Sequence, residues 1–355
     1  MSAVAALGPP LLATLFALRK GSLSRGGIAA SWLVGPVTGW AAHHLSAHLY
    51  GFFFLSSLAT RVGERAKRSI EGEAFRKGGK RTAAQVLCNG GFQTIVAAVY
   101  ILVVGGGGHD YGYCQREQQS EQQSKQQSEQ RGSSQSFWAR VLTAAHLSGY
   151  ACAAGDTWAS ELGVLSRSLP RLITAPWLVV PRGTNGGISL LGTAASAAGG
   201  ASIGLAHVLV RMFSAMFSAD NVNDYMREKW RHPCDLRAAF GVLAQSTCAG
   251  VLGSLIDSLL GATLQYSGTT KTGAIANAAS PSSRRVVTRW NWNVLNNDQV
   301  NVAAILLTMV FGGLTAEWFH GKSAGGGDDD DNKLKSKIYR RRQRRRDQQF
   351  VEVRE

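Results

Sequence analysis

Gly155-Asp156-Thr157-Trp158-Ala159-Ser160-Glu161-Leu162-Gly163 follows directly on one apolar run, Phe137–Ala154, and precedes another, Ile188–Phe217. A second polar stretch, Pro181-Arg182-Gly183-Thr184-Asn185-Gly186-Gly187, lies between the two. Charge is costly at membrane depth, so carboxylates bounded by runs of this kind point to a functional site in a membrane protein. Working outward, further apolar runs are Ala3–Leu18, Gly27–Leu45, Leu49–Thr60, Ala83–Val104, Leu172–Val180, Leu236–Gln265 and Val300–Phe319. A crossing takes about 20 residues. Leu49–Thr60 and Leu172–Val180 are short and read as half-helices or re-entrant pieces. Ile188–Phe217 and Leu236–Gln265 are long enough for one tilted helix, a broken helix or a tight hairpin. The expected fold is all-α, a polytopic membrane helix bundle of about six to nine segments, some short or broken.

Composition supports this reading once it is resolved along the chain. The 355 residues are 45% hydrophobic and 17% charged. The mean hydropathy of −0.05 averages long apolar segments with very polar inserts, and so describes neither. The net charge of +15 sits in short loops and the tail. That distribution fits basic cytoplasmic loops and argues against a nucleic-acid binder, since few aromatics are interleaved with the cations. The expected partners are the bilayer itself and anionic lipids at the basic loops and tail, with no nucleic acid. Five cysteines without CxxC spacing support neither a disulfide framework nor a zinc site.

Four regions follow. Residues 1–104 hold N-terminal membrane segments and a basic loop at 61–82. Residues 105–136, rich in Gly, Gln and Ser, cannot bury apolar area and read as a disordered loop. Residues 137–320 form a membrane core carrying the acidic and glycine-rich motifs, and residues 321–355 are a mobile tail, acidic and then polybasic. Arg19, Lys20 and Arg25 and the loop cations Arg61–Arg81 should face the cytoplasm together, which requires two crossings or a re-entrant hairpin between them. No Arg- and Ser-rich transit peptide is visible, so the endoplasmic reticulum or another endomembrane is expected rather than a plastid.

The motifs combine acids, hydroxyls and glycines, as phosphate chemistry at a membrane surface would require. Mg²⁺ is typically held by one or two carboxylates plus the phosphates themselves. Asp156 and Glu161 diverge by about 140° on an ideal helix and would not share a metal unless the chain bends. Asp257, framed by Ser254 and Ser258, is the third acid. The preferred arrangement has Asp156 and Asp257 at the metal, with Glu161 as a further ligand or proton acceptor. Internal pairing for folding is the alternative for these acids. The Gly183–Gly187 turn offers backbone N–H groups, Arg182 a cation, and Thr184 or Asn185 side-chain donors to a phosphate. Thr157 and Ser160 supply hydroxyls beside the acids. The same Asn-Gly-Gly sequence also suits a tight interhelical turn. Gly200 and Gly204 with Ala197 and Ala201 read as close helix packing. A P-loop is absent. His43, His44 and His48 lack the Glu of a zinc-protease motif and read as paired or interfacial histidines. Ser56, Ser57 and Thr60, leading into Arg61 and Arg65, are a candidate phosphate entrance.

Five blocks resemble the transmembrane protein 19 family, also called the domain-of-unknown-function 92 family. They are Lys20–Gly35; Phe52-Phe53 through Lys80-Arg81 to Gln85-Val86-Leu87-Cys88-Asn89-Gly90; Gly155–Ser166; Pro181–Gly200; and Gly253–Gln265 with Asn296–Asn301. The resemblance implies a multi-pass membrane protein. Its plant branch is assigned as phytyl-phosphate kinase, which makes an isoprenoid diphosphate from a monophosphate. The Gly-Asp-Thr-x-Ala-Ser-x-x-Gly core is also similar to the motif of the CTP-dependent phytol and dolichol kinases. The implied activity is phosphoryl transfer from a nucleoside triphosphate, CTP or ATP, to an isoprenoid phosphate with Mg²⁺. A transporter or flippase for an anionic metabolite or lipid, or a non-catalytic membrane organiser, are the alternatives.

Overall fold

A computed structural model describes residues 3–71, 80–105, 125–217, 233–270, 275–276, 283–286 and 292–320. Within these, the helices are α1 (Ala3–Lys20), α2 (Arg25–Ala41), α3 (His43–Ala59), α4 (Glu64–Glu71), α5 (Ala83–Val103), α6 (Lys125–Gly163), α7 (Leu190–Phe217), α8 (Pro233–Leu264), α9 (Asn297–Leu314) and α10 (Ala316–His320). The expected membrane helix bundle is observed. Three helical stretches, Ala83–Val103, Leu190–Ser214 and Leu236–Leu264, are each long and apolar enough to cross a bilayer alone. Large apolar side chains such as Leu102, Leu190, Phe240 and Leu314 stay exposed on the outside of the bundle, as lipid contact requires.

Local sequence sets the helix starts. Ser24 caps α2 by accepting from the Gly27 N–H at 3.0 Å. Thr82 and Gln85 form a reciprocal capping box at α5, and Asn296 and Gln299 do the same at α9. Each box satisfies amide donors that the first helical turn leaves unpaired.

The expected segments change in three places. Gly27–Leu45 is not one span: the chain is extended at Ala42 (φ −165°, ψ 153°), which separates α2 from α3. The short run Leu49–Thr60 is therefore the second part of a full α3, not a half-helix. Leu172–Val180 is not a membrane segment. It forms β1 (Arg171–Leu172) and β2 (Ala175–Val179), which with β3 (Gly187–Ile188) make a small antiparallel sheet of order β2-β1-β3. Pro170, Pro176 and Pro181 around that run break helical periodicity, which its hydrophobicity alone did not reveal. Ile188–Phe217 and Leu236–Gln265 each resolve to one unbroken helix. A second sheet, order β5-β4-β6, joins β4 (Gly268–Thr270), β5 (Ile275–Ala276) and β6 (Ser283–Arg285). Helix α6 begins at Lys125, inside the tract expected to be a loop through residue 136. Residues 106–124 of that tract and the tail from Gly321 onward lie outside the described residues.

One end of the bundle gathers the basic loops. A bridge pairs Leu23 with Arg81, and the Arg81 carbonyl accepts from the Ser24 N–H at 2.9 Å. The two basic loops expected on one side thus meet, with α2 running away from them and α3 returning. At the same end Gly63 packs on Leu165, and Gly186 on Ser258 and Ala262.

Helix α6 is central, packed against α3, α5, α7, α8 and α9. Its fully buried stretch from Leu147 through Ala154 is mostly small, which lets neighbours approach closely. At Gly155 the backbones meet: a Cβ built there would lie 2.7 Å from Gly250 Cα on α8. On α7, Gly199 faces Ala154 and Gly155, while Gly200 faces Ser246 and Gly250. The helix-packing reading of Gly200 and Gly204 holds, because both press on α8 at Ser246. We predict that Gly250→Val, which puts two methyls against backbone that cannot yield, costs about 3 kcal/mol. Thermal unfolding in detergent should show it as a lowered midpoint, whereas Gly91→Ala, with nothing within 4 Å of its Cβ position, should leave the midpoint nearly unchanged.

Candidate functional site

The glycine crossing positions the acids. Asp156 immediately follows Gly155 on α6, and Asp257 lies one turn beyond Gly253 on α8, where Gly253 packs directly on Cys152. The two carboxylates consequently fall within electrostatic reach of each other across the α6–α8 contact. The Cys152 thiol lies near Thr308 of α9 and within electrostatic reach of both carboxylates. Asp257 Oδ2 is buried and has no hydrogen-bond partner. Ser254, buried, and Ser258 flank Asp257 on α8. Two half-buried like charges repel unless a proton or a cation stands between them. Their hard oxygen donors fit Mg²⁺, which needs few protein ligands when phosphates supply the rest. Among the described residues no group of three or more His, Cys, Asp or Glu side chains is arranged to hold a metal without such help.

Glu161 is not brought to this pair. It points to another face of α6, as the 140° divergence expected, and binds Lys67 at 2.5 Å. Lys67 is 1% exposed, and its ammonium also donates to the Thr60 carbonyl at 3.1 Å, closing the end of α3. Glu161 retains 27% exposure. Beside them Arg81 donates to Ser57 Oγ at 3.1 Å and lies over the Phe52 ring. Burial pushes its guanidinium down to about 10, opposed by the Glu161 charge, so it remains cationic at neutral pH. In the sequence Lys67 is one member of a basic loop, and Arg81 is another that also falls in a block of the family resemblance. Nothing in their spacing distinguishes them from the exposed cations around them.

The glycine-rich turn is largely occupied by its own contacts. Asn185 donates its backbone N–H to Ser267 Oγ at 3.0 Å and its side-chain amide to the Tyr266 carbonyl at 2.8 Å. The Thr184 hydroxyl donates to the Pro181 carbonyl at 2.7 Å, and the Gly187 N–H to the Thr184 carbonyl at 3.0 Å. Gly183 and Gly186 have positive φ (85° and 78°), and Gly186 approaches the α8 backbone at Ser258. Arg182 reaches the Ser166 carbonyl at 2.8 Å. These contacts favour the interhelical-turn reading: the segment pins the end of α8 one turn from Asp257. Thr157 bonds back to the Ala153 carbonyl at 2.7 Å. Ser160, on the next turn from Asp156, is exposed, its hydroxyl 3.1 Å from the Thr157 carbonyl. Ser258 adjoins Asp257 on α8 and Ser160 lies one turn beyond Asp156 on α6, whereas Arg182 to Gly187 make their contacts at the end of α8.

The family described as integral membrane protein DUF92 matches residues 9–309. The chain belongs to the DUF92 integral membrane family. It is similar to Protein PGR of Arabidopsis thaliana, 32% identical over 302 residues that cover 84% of this chain and 91% of that protein. It is also similar to the chloroplastic Protein VTE6 of Arabidopsis thaliana, 27% identical over 53% of this chain and 46% of that protein. An uncharacterized membrane protein of Synechocystis is 25% identical over 72% of this chain and 77% of its own length. No solved structure matches. This DUF92 protein is thus an integral, multi-pass membrane protein, and the matched span contains both acids and the Lys67–Glu161 pair.

Lys67 and Glu161 should respond unequally to mutation. Glu161→Gln strands a fully buried ammonium and is expected to cost about 3 kcal/mol, the lower range for broken buried pairs. Lys67→Met leaves a carboxylate that still reaches water and should cost less. Unfolding midpoints of the two variants in detergent check the order.

Proposed function

We propose that this DUF92 protein is a membrane-embedded kinase that transfers a phosphoryl group from a nucleoside triphosphate, CTP or ATP, to an isoprenoid monophosphate. The observation that carries the proposal is the Asp156–Asp257 pair, two carboxylates from different helices held together with one oxygen unsatisfied. The sequence similarity of the Gly155–Gly163 core to lipid-kinase motifs supports the same reading.

In this reaction a phosphate oxygen of the lipid attacks the terminal phosphorus of the nucleotide. One P–O bond forms, the bond to the bridging oxygen breaks, and the nucleoside diphosphate leaves with that electron pair. A monophosphate oxygen is already anionic and needs no general base, so the task is positioning and charge neutralisation. Mg²⁺, when bound, would supply that neutralisation between the two polyanions. Asp156 and Asp257 would hold it, and Ser258 and Ser160 would face the phosphates. The Arg182–Gly187 turn keeps the end of α8 in register with α6. Glu161 belongs to the neighbouring ion pair and takes no part in transfer. The basic end of the bundle would face the cytoplasm, where nucleotide is available, and the lipid would enter between helices. The transport alternative leaned on broken helices, whereas α6, α7 and α8 run unbroken past the acids.

The test uses protein in lipid nanodiscs with radiolabelled CTP or ATP, Mg²⁺, and prenyl monophosphates from geranyl to dolichyl. Label should enter a prenyl diphosphate with wild type, and fall by at least a factor of about 10³ in Asp156→Asn or Asp257→Asn. Folded wild-type protein that transfers no label to any member of the panel refutes the kinase. Independently of turnover, millimolar Mg²⁺ with a non-hydrolysable nucleotide should raise the unfolding midpoint of wild type and not of Asp156→Asn, since a ligand that binds only the native state stabilises it.

A further inference from the structure

Away from the acid pair, α3, α6 and α7 enclose a group of histidines that the proposed chemistry does not use. His48 is fully buried, as are His146 and, at 1% exposure, His207. His48 Nδ1 lies 2.8 Å from His146 Nδ1, and His48 Nε2 lies 2.8 Å from His207 Nδ1. His44 extends the group: its Nε2 is 3.1 Å from Thr143 Oγ1, and its ring is 5.1 Å from that of His207 and 6.1 Å from that of Tyr100. On the other side the His146 ring is 5.1 Å from Tyr150. The histidines of α3 are thus paired, as one of the two sequence readings had it, but deep in the bundle and not at an interface. Their partners, 98 and 159 residues away, could not be found from local spacing.

The arrangement is a chain and not a metal cage. His48 offers opposite ring nitrogens to its two neighbours, so the three rings do not converge on one point. A neutral imidazole has one N–H and one acceptor nitrogen. Each short contact therefore holds one proton, and the three tautomers must run in the same direction. Such a chain can pass a proton without leaving a net charge on any ring.

We propose that His207, His48 and His146 form a proton relay through the bundle interior. A proton arriving at His207 Nε2 lets Nδ1–H pass its proton to His48 Nε2. His48 Nδ1–H then passes its proton to His146 Nδ1, and the proton on His146 Nε2 leaves. Three protons remain on three rings before and after, and ring reorientation resets the chain. His146 Nε2 is buried without a hydrogen-bond partner, as an exit group would be between transfers. Both ends of the chain have polar continuations. His44 stands next to His43, the first and half-exposed residue of α3, far from the basic loops. Tyr150, whose hydroxyl is also buried without a partner, lines a mainly apolar cavity of about 50 Å³ that Tyr50, Gln85 and Arg81 also border at the basic end.

The experiment reconstitutes the purified full chain into potassium-loaded liposomes containing a pH-sensitive dye and sets a potential with valinomycin. Wild type should acidify or alkalinise the lumen at least ten-fold faster than protein-free vesicles. His48→Gln should return the rate to that of protein-free vesicles: the amide still donates and accepts a hydrogen bond, so it can keep the packing, but it does not relay protons. Size-exclusion profile and helical circular dichroism establish that the variant is folded, and His146→Gln supplies the same readout if His48→Gln is not. Wild-type flux no faster than empty vesicles overturns the relay, and so does a folded Gln variant that conducts like wild type. Because no prenyl phosphate or nucleotide is present, this outcome is independent of whether the protein is a kinase.

Discussion

The meeting of α6, α7 and α8 at glycine is the contact on which the rest of the structure depends. Gly155, Gly199, Gly200 and Gly250 bring three backbones together where any side chain would force them apart. In a bilayer, lipid tails are as apolar as leucine, so helices gain little from hydrophobicity and much from close van der Waals fit. The glycines supply that fit and also position the acids. With no side chains between α6 and α8, the next residue on one helix and the residue a turn away on the other must confront each other. Those residues are Asp156 and Asp257.

Charge inside the bundle is partitioned in a way that follows from desolvation. Lys67, wholly buried, is satisfied by a carboxylate and by the carbonyls that end α3. Arg81 is held by Ser57 and an aromatic face. Of these two buried cations, Lys67 is neutralised within the protein, and Glu161 is consumed in doing so. On another face of α6, Asp257 Oδ2 of the acid pair has no hydrogen-bond partner among the described residues, and the proposed function rests on that contrast. The histidine chain meets the same constraint differently: a neutral imidazole carries one donor and one acceptor, so each short contact can be satisfied without a counter-ion.

Much was legible in one dimension. Long apolar runs, basic loops at alternate intervals and acids between the runs predict a helical membrane bundle because the hydrocarbon core admits only segments that satisfy their own backbone. Errors arose where hydrophobicity and helix formation part company. Leu172–Val180 is apolar, yet prolines on either side and within it lead to a hairpin. The Gln- and Ser-rich tract is polar, yet its final part from Lys125 is helical. Likewise Asn-Gly-Gly reads equally as phosphate cradle or turn, and only the contacts of Asn185 with Tyr266 and Ser267 discriminate.

By itself the sequence determined the class of fold, the three acids and the divergence of Asp156 from Glu161, since these depend on composition and on the fixed 3.6-residue helical period. Tertiary structure alone decided which acid meets which. Asp156 and Asp257 are 101 residues apart in the chain. Lys67 finds Glu161 across 94, and His48 finds His207 across 159. Pairings at such separation are set by which small-residue faces pack most closely, and that is a property of the assembled helices and not of any one of them.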